Sequence, residues 1–119
     1  MGLSIMCKVD MCIAIIKEKI DKNEDVVFTV FGDSMLPSIN NGEKVIIKKC
    51  DTYKIGDIVA YYIKDESKYD IIVHRLVFVR KSYFLAKGDN NSFLDPIRIN
   101  IDNVIGKVST NGNFKMEGE

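Results

Sequence analysis

Three short segments of this chain carry side chains able to act on a carbonyl group. The first is Gly32-Asp33-Ser34-Met35-Leu36-Pro37. An apolar run ends at Phe31, a serine follows on a glycine-initiated turn, and a proline comes three residues later. A serine so placed can present its hydroxyl outward, with nearby backbone N–H groups free to bind an oxyanion. Serines in such turns also commonly do no more than hydrogen-bond within the turn. The second segment is Val73-His74-Arg75, which holds the only histidine of the chain. Strand alternation puts Ile72, His74, Leu76 and Phe78 on one face. Apolar neighbours favour the neutral imidazole, the form that a general base for a serine requires. A core histidine with one satisfied hydrogen bond fits the same pattern. The third segment, Lys87-Gly88-Asp89-Asn90-Asn91-Ser92-Phe93-Leu94-Asp95, sets two carboxylates on one loop. Either could orient a histidine and stabilise its cation, or simply bond its own backbone in a polar turn. A calcium loop is excluded, because Phe93 takes the fifth position and no glycine holds the sixth.

The elements that must position these side chains are mostly strands. Val9, Cys12, Ile13, Ile16 and Ile20 recur at helical spacing, and the polar stretch Asp21 to Asp25 ends that helix. The helix is expected to pack on the domain's own core. The alternative, docking on a membrane or partner, calls for a broader polar face. After Asp25 the pattern changes. Val26 to Phe31, Lys44 to Lys48, Asp57 to Ile63, Asp70 to Val79, Ser82 to Ala86 and Asn103 to Val108 read as strands, separated by turns rich in Gly, Asn and Asp. The fourth and fifth suggest a hairpin. Many short strands after one helix predict a mainly β fold: a single coiled or barrel-like antiparallel sheet with one N-terminal helix. The expected organisation is a helical arm over 1–25, a β domain over 26–108 and a polar tail over 109–119.

Length and composition exclude several classes. A chain of 119 residues that is 46% hydrophobic and 29% charged has one core and is not disordered. Seventeen basic residues balance seventeen acidic ones, which gives no support for a nucleic-acid partner. The three cysteines, Cys7, Cys12 and Cys50, form neither a disulfide framework nor a zinc spacing. They read as small hydrophobes in a reducing compartment. The apolar stretch from Leu3 to Ile16 is interrupted by Lys8 and Asp10. It falls short of the roughly 20 residues that a membrane-spanning helix needs. No transmembrane helix, metal or cofactor is expected, and the expected location is the cytoplasm, with peripheral membrane contact left open.

Taken in order, the strings GDSMLPSINNGEKVIIKK, KIGDIVAYYI, IIVHRLVF and YFLAKGDNNSFLD resemble the signal peptidase I family and its relatives, the self-cleaving repressor domains. The four blocks run from about Thr29 to Val108. The nearest branch looks like the archaeal, endoplasmic-reticulum and sporulation-type signal peptidases, which carry His where most bacterial enzymes carry Lys. Here that position is His74.

The resemblance implies roles residue by residue. Ser34 falls at the nucleophile position of a Ser-Met-x-Pro motif, and His74 at the general-base position. Asp95 falls at the place of the acid that completes the site, with Asp89 as its rival. The backbone N–H of Ser34 is implied as part of the oxyanion hole. Gly56 and Asp57 match a structural turn and carry no catalytic role. In many bacterial relatives a hydroxyl stands two residues before the nucleophile; here that residue is Gly32. The implied activity is that of a serine endopeptidase that holds an extended peptide on a strand edge and removes a leader or signal segment. A non-catalytic peptide-binding module and a self-cleaving domain are the alternatives.

Overall fold

The computed structural model describes residues 8–65 and 68–110. Helix α1 (Lys8–Asp21) is followed by seven strands: β1 (Val26–Thr29), β2 (Lys44–Lys48), β3 (Ile58–Asp65), β4 (Lys68–Val79), β5 (Tyr83–Lys87), β6 (Ile99–Asn100) and β7 (Val104–Ser109). All pair antiparallel in one sheet, in the order β1-β2-β7-β3-β4-β5-β6. The sheet is mainly β in the way the strand pattern predicts, but it does not close into a barrel. β1 and β6 remain as its two edges.

Both faces of the central strands are buried, and for that reason β3 reads as an unbroken apolar run rather than an alternating one. Ile58 and Ala60 point into one cluster with Val45, Ile47, Val73, Ile105 and Val108. Val59 and Tyr61 point into the other with Leu76, Phe84, Ala86, Ile99 and Val104. Helix α1 covers the first cluster. Its Ile20 is buried there and Ile16 packs against it, as the helical spacing predicts. Val30, Met35 and Ile39 fill the same cluster from the segment after β1. The turn that carries Ser34 is thereby anchored on both sides by apolar side chains. Cutting one of these back to Ala would cost about 2–5 kcal/mol.

Some expectations are corrected. β1 ends at Thr29; Val30 still bonds in register, its N–H to the Glu43 carbonyl and its carbonyl to the Gly42 N–H, and Phe31 beyond it is exposed. The expected face Ile72-His74-Leu76-Phe78 breaks at a β-bulge: Leu76 pairs with Ala86, but Phe78 pairs with Leu85 and Val79 with Phe84. One extra residue in β4 reverses the alternation, so Val79 rather than Phe78 packs on the second cluster. Strand β6 and the 3-10 turn Ile101–Asn103 are additional elements. The cysteines are not core hydrophobes: Cys12 is exposed and Cys50 half-buried, while Cys7 lies outside the described residues. Ser109 belongs to β7, and the rest of the expected tail beyond residue 110 lies outside the described residues, as do Glu66 and Ser67. No helix of the described residues is long and apolar enough to cross a membrane.

Candidate active site

His74 stands on β4 where that strand changes partners. β3 pairs with residues from Lys68 to Arg75, while β5 pairs only from Arg75 onward. Beside residues 68–74 one edge of β4 is therefore open, and the turn bearing Ser34 comes up against it. The Ser34 hydroxyl lies 3.0 Å from His74 Nε2. On the far side of the ring, Asp95 approaches Nδ1 with its two oxygens at 2.9 and 2.7 Å. The His74 and Asp95 side chains are only 12% and 8% exposed. With Asp95 ionised, the proton belongs on Nδ1, which donates to the carboxylate. Nε2 then carries a lone pair directed at the Ser34 hydroxyl. The loop after β5 brings Asp95 into place, and its backbone is pinned there by the Asp95 N–H bond to the Ala86 carbonyl (2.8 Å).

Asp89, the rival acid, points elsewhere. Arg75 Nε and Nη2 grip its two oxygens at 2.9 and 2.8 Å, and the Ser38 hydroxyl donates to it at 2.6 Å. Arg75 also donates through Nη1 to the Gly56 carbonyl (2.9 Å). The Arg75 guanidinium holds the Asp89 carboxyl below the usual carboxylate range; burial opposes this, and the Ser38 hydroxyl adds to it. The bidentate pair is a charge-assisted clamp joining β4, the turn after Ser34 and the loop after β5. Two further bonds tighten the same joint. Asn90 N–H donates to the Ser34 carbonyl at 2.8 Å, and Asn90 Nδ2 to the Asp33 carbonyl at 3.1 Å.

Two glycines allow this approach. Gly88 has no room for a side chain: a Cβ there would lie 2.7 Å from the Ser34 carbonyl oxygen and 3.0 Å from His74 Nε2. Gly32 has open space around it but a φ of 95°, in the region that L side chains avoid. The position two residues before Ser34 is thus committed to a backbone turn. The Gly32 N–H donates to Asn41 Oδ1 at 2.8 Å. The Ser34 N–H has no hydrogen-bond partner among the described residues. Asp57 takes part in a turn with Lys54 and an ion pair with Lys107 (3.4 Å), away from the serine.

Sequence reasoning missed one residue of the site. Tyr61 is 1% exposed, and its hydroxyl donates to Asp95 Oδ2 at 2.6 Å. Burial, the bond to Asp95 and the charge of Asp95 together raise the phenol far above its ordinary pKa, so it remains a donor. The signal was present: a tyrosine at the end of the apolar run Ile58-Val59-Ala60 must find a partner for its hydroxyl.

Beside the serine lies a cleft of about 520 Å³, lined by Phe28, Thr29, Val30 and Phe31 on one side and by residues 70–74 of β4 on the other. It separates two strand edges, the outer edge of β1 and the open stretch of β4. Among the described residues, Asp70 is the one Asp, Glu, Lys or Arg lining it. Among the described residues no group of three or more His, Cys, Asp or Glu side chains is placed to hold a metal ion.

No curated protein matches this chain. The family model described as Peptidase S24-like, however, matches residues 5–109, nearly the whole of the described fold and all the residues just discussed. On that match the chain belongs to the Peptidase S24-like family.

Proposed function

We propose that this protein is a serine endopeptidase of the signal-peptidase type that removes a leader or signal segment from a peptide precursor. The observation that carries the reading is the unbroken line from the Ser34 hydroxyl through both nitrogens of His74 to the Asp95 carboxylate. Ser34 Oγ attacks the scissile carbonyl carbon while its proton passes to His74 Nε2. The imidazolium so formed is held by the Asp95 charge on its other nitrogen. Nε2 then returns the proton to the departing amine, and the peptide bond breaks to leave an ester on Ser34. Water enters and gives a proton to the same nitrogen as its oxygen adds to the acyl carbon; the ester bond to Ser34 then breaks, and Nε2 returns the proton to Ser34 Oγ, releasing the acid and the free enzyme. General acid–base action of this kind is worth about 10²–10⁴ in rate. The free N–H of Ser34 is the oxyanion donor, a contribution of about 3–4 kcal/mol where such a donor is well aimed.

The substrate is an extended peptide laid along the cleft. Two strand edges with unused backbone groups flank the space, and an added strand is the usual way for such edges to hold a peptide. The walls from Phe28, Val30, Ile71, Ile72 and Val73 suit apolar side chains. The resemblance to signal peptidases adds a preference for small residues just before the cut.

The test is incubation of the purified protein with a diverse peptide library, read by mass spectrometry, beside Ser34→Ala. Cuts that vanish in the variant, with flanking residues that define a preference, support the reading. Identical profiles count against it and favour a non-catalytic binding module. Cleavage confined to the protein's own chain favours the self-cleaving alternative.

A further inference from the structure

We infer that Tyr61 is a positioning residue of this site, which sets the orientation and the effective charge of Asp95 and thereby the basicity of His74. The inference rests on the peptidase reading of Ser34 and His74 and adds a fourth member behind them.

Three observations carry it. The first is the burial of both partners. Tyr61 is 1% exposed and the Asp95 side chain 8%, so neither can satisfy its polar atoms with water. A buried polar group without a partner costs about 1–3 kcal/mol, more when it is charged. Among the described residues the phenol has no other hydrogen-bond partner. The second is the division of the carboxylate. Oδ2 receives the phenol at 2.6 Å and His74 Nδ1 at 2.7 Å, while Oδ1 lies 2.9 Å from the same nitrogen. The phenol thus competes with the imidazole for one oxygen and fixes the rotation of the carboxylate about its own axis. The third is where Tyr61 comes from. It lies on β3, two positions along from Val59, which pairs with His74 across the sheet, and it is itself paired with Ile72. A bulge in the β3–β7 ladder sets Val104 opposite it, and the second core cluster encloses its ring. The hydroxyl is therefore held by the sheet, whereas Asp95 stands on a loop. The strand thus supplies a fixed donor to a carboxylate carried on a loop.

The chemical consequence has a sign. A hydrogen bond donated to a carboxylate draws off part of its charge and weakens its hold on a neighbouring cation. The phenol therefore weakens the hold of Asp95 on a His74 imidazolium, and removing the hydroxyl should strengthen it. Other charged groups near the site are engaged elsewhere. Arg75 and Lys87 act on Asp89, Arg98 stacks on the ring of Tyr83, and Lys64 lies over the ring of Tyr69.

The experiment is Tyr61→Phe, which keeps the ring and removes only the hydroxyl. Tyr62→Phe serves as control, since that ring packs on the opposite core cluster. His74 is the only histidine of the chain, so its imidazole gives an isolated proton resonance that can be titrated by NMR in both variants. Tyr61→Phe is expected to move the midpoint of that titration upward by roughly half a pH unit or more. The acid limb of the kcat profile moves with it, and on the alkaline plateau the loss of a fixed carboxylate orientation outweighs the stronger charge, so kcat falls about tenfold with KM nearly unchanged. Tyr62→Phe moves none of these. An unmoved His74 titration overturns the inference whatever the rate does, because a loss of rate alone would reflect only a structural role. A moved titration with an unchanged kcat profile overturns it as well. If the wild-type protein cleaves nothing, the peptidase reading is what fails, and the titration by itself still decides whether Tyr61 governs the His74–Asp95 pair.

Discussion

A single added methyl group at Gly88 tests the geometry of the site most directly. In Gly88→Ala the new Cβ would stand 2.7 Å from the Ser34 carbonyl oxygen, 2.7 Å from Asn91 Nδ2 and 3.0 Å from His74 Nε2, where ordinary contact begins at 3.4 Å. The Asn91 amide is the end of a side chain and can rotate away. The Ser34 carbonyl cannot, because it is backbone and already accepts the Asn90 N–H at 2.8 Å. Relief therefore requires the loop and the serine carbonyl to separate by about 0.7 Å, and the loop and the imidazole by about 0.4 Å, with contact distances as given. Either movement falls on the Ser34–His74 hydrogen bond, now 3.0 Å, and takes it toward about 3.5 Å, where such bonds are nearly spent. A misplacement of about 1 Å in a reacting group costs about 10² in rate. The expected loss in kcat is thus about 10- to 100-fold. Overpacking costs about 1–3 kcal/mol in stability, and for a domain of this size that lowers Tm by about 4 °C per kcal/mol.

The control is Gly106→Ala. Its Cβ would lie 2.5 Å from the Lys48 carbonyl oxygen and 2.8 Å from Ile47 Cγ2, on β7 opposite Ala60 of β3 and in contact with neither Ser34 nor His74. It is expected to lose comparable stability and keep its kcat. Both are assayed well below their melting temperatures on a peptide taken from the library screen, with thermal unfolding followed in parallel. A Gly88→Ala protein within twofold of wild-type kcat would refute the reasoning. So would equal losses of kcat in both variants, since the effect would then be one of general stability.

The two carboxylates of the loop should separate cleanly. Asp95→Asn is expected to lower kcat by about 10³-fold or more with the fold retained, because an amide cannot stabilise the imidazolium and favours the wrong tautomer. Asp89→Asn should instead destabilise by about 1.5–3 kcal/mol through loss of charge-assisted bonds, with less than about tenfold change in kcat of the folded protein; chemical denaturation and peptide cleavage measure the two. Because Arg75 depresses the Asp89 carboxyl below its ordinary 3.8, its contribution to stability is complete above that value and is lost as pH falls through the lower folded one. The stability gap between wild type and Asp89→Asn should therefore be level from about pH 5 to 8 and shrink below about pH 4. Asp70 stands four residues from His74 on β4, about 13 Å along the strand, and is exposed in the cleft. A peptide with Lys at the matching distance from its cut should have a KM about 1.5- to 5-fold lower than one with Glu, the range of an exposed ion pair. Asp70→Lys should reverse the order, and 0.5 M salt should erase it.

The fold was legible wherever burial imposed a period. Ile13, Ile16 and Ile20 gave the helix, and the β-branched runs gave six of the seven strands to within a few residues. Strand β6 has two residues, too few for any alternation to declare itself. Phe78 was placed on the wrong face because a bulge is a property of the pairing and leaves no mark on the spacing within one strand. In the site, Ser34, His74 and Asp95 were singled out by segment and order, but the choice between Asp95 and Asp89 was left open. The adjacent arginine held a clue. His74 and Arg75 are neighbours in a strand, so their side chains leave on opposite faces, and each can take one carboxylate of a loop that passes over both. Arg75 takes Asp89, and Asp95 remains for His74. What no local pattern contained was the long-range pairing of Tyr61 with Asp95, which needs the sheet register and the loop path together.

That loop path follows from one event, the end of β5 at Lys87. The pair Arg75–Lys87 is the last between β4 and β5 on that side. Had β5 run three residues further, it would have paired with β4 beside His74, filled the open edge and displaced the turn of Ser34. Instead Gly88 follows, and its missing side chain lets the backbone cross within contact of the Ser34 carbonyl and the imidazole. The same departure leaves an unpaired edge at residues 70–74 for an incoming peptide. It turns Asp89 down to Arg75 and carries the chain on to Asp95, which returns to β5 through the Ala86 carbonyl. Edge, clamp and acid are therefore not independent features. A change that lengthens β5 should therefore remove peptide binding and the His74–Asp95 contact together, and one at the end of β5 that spares the open edge should spare the contact.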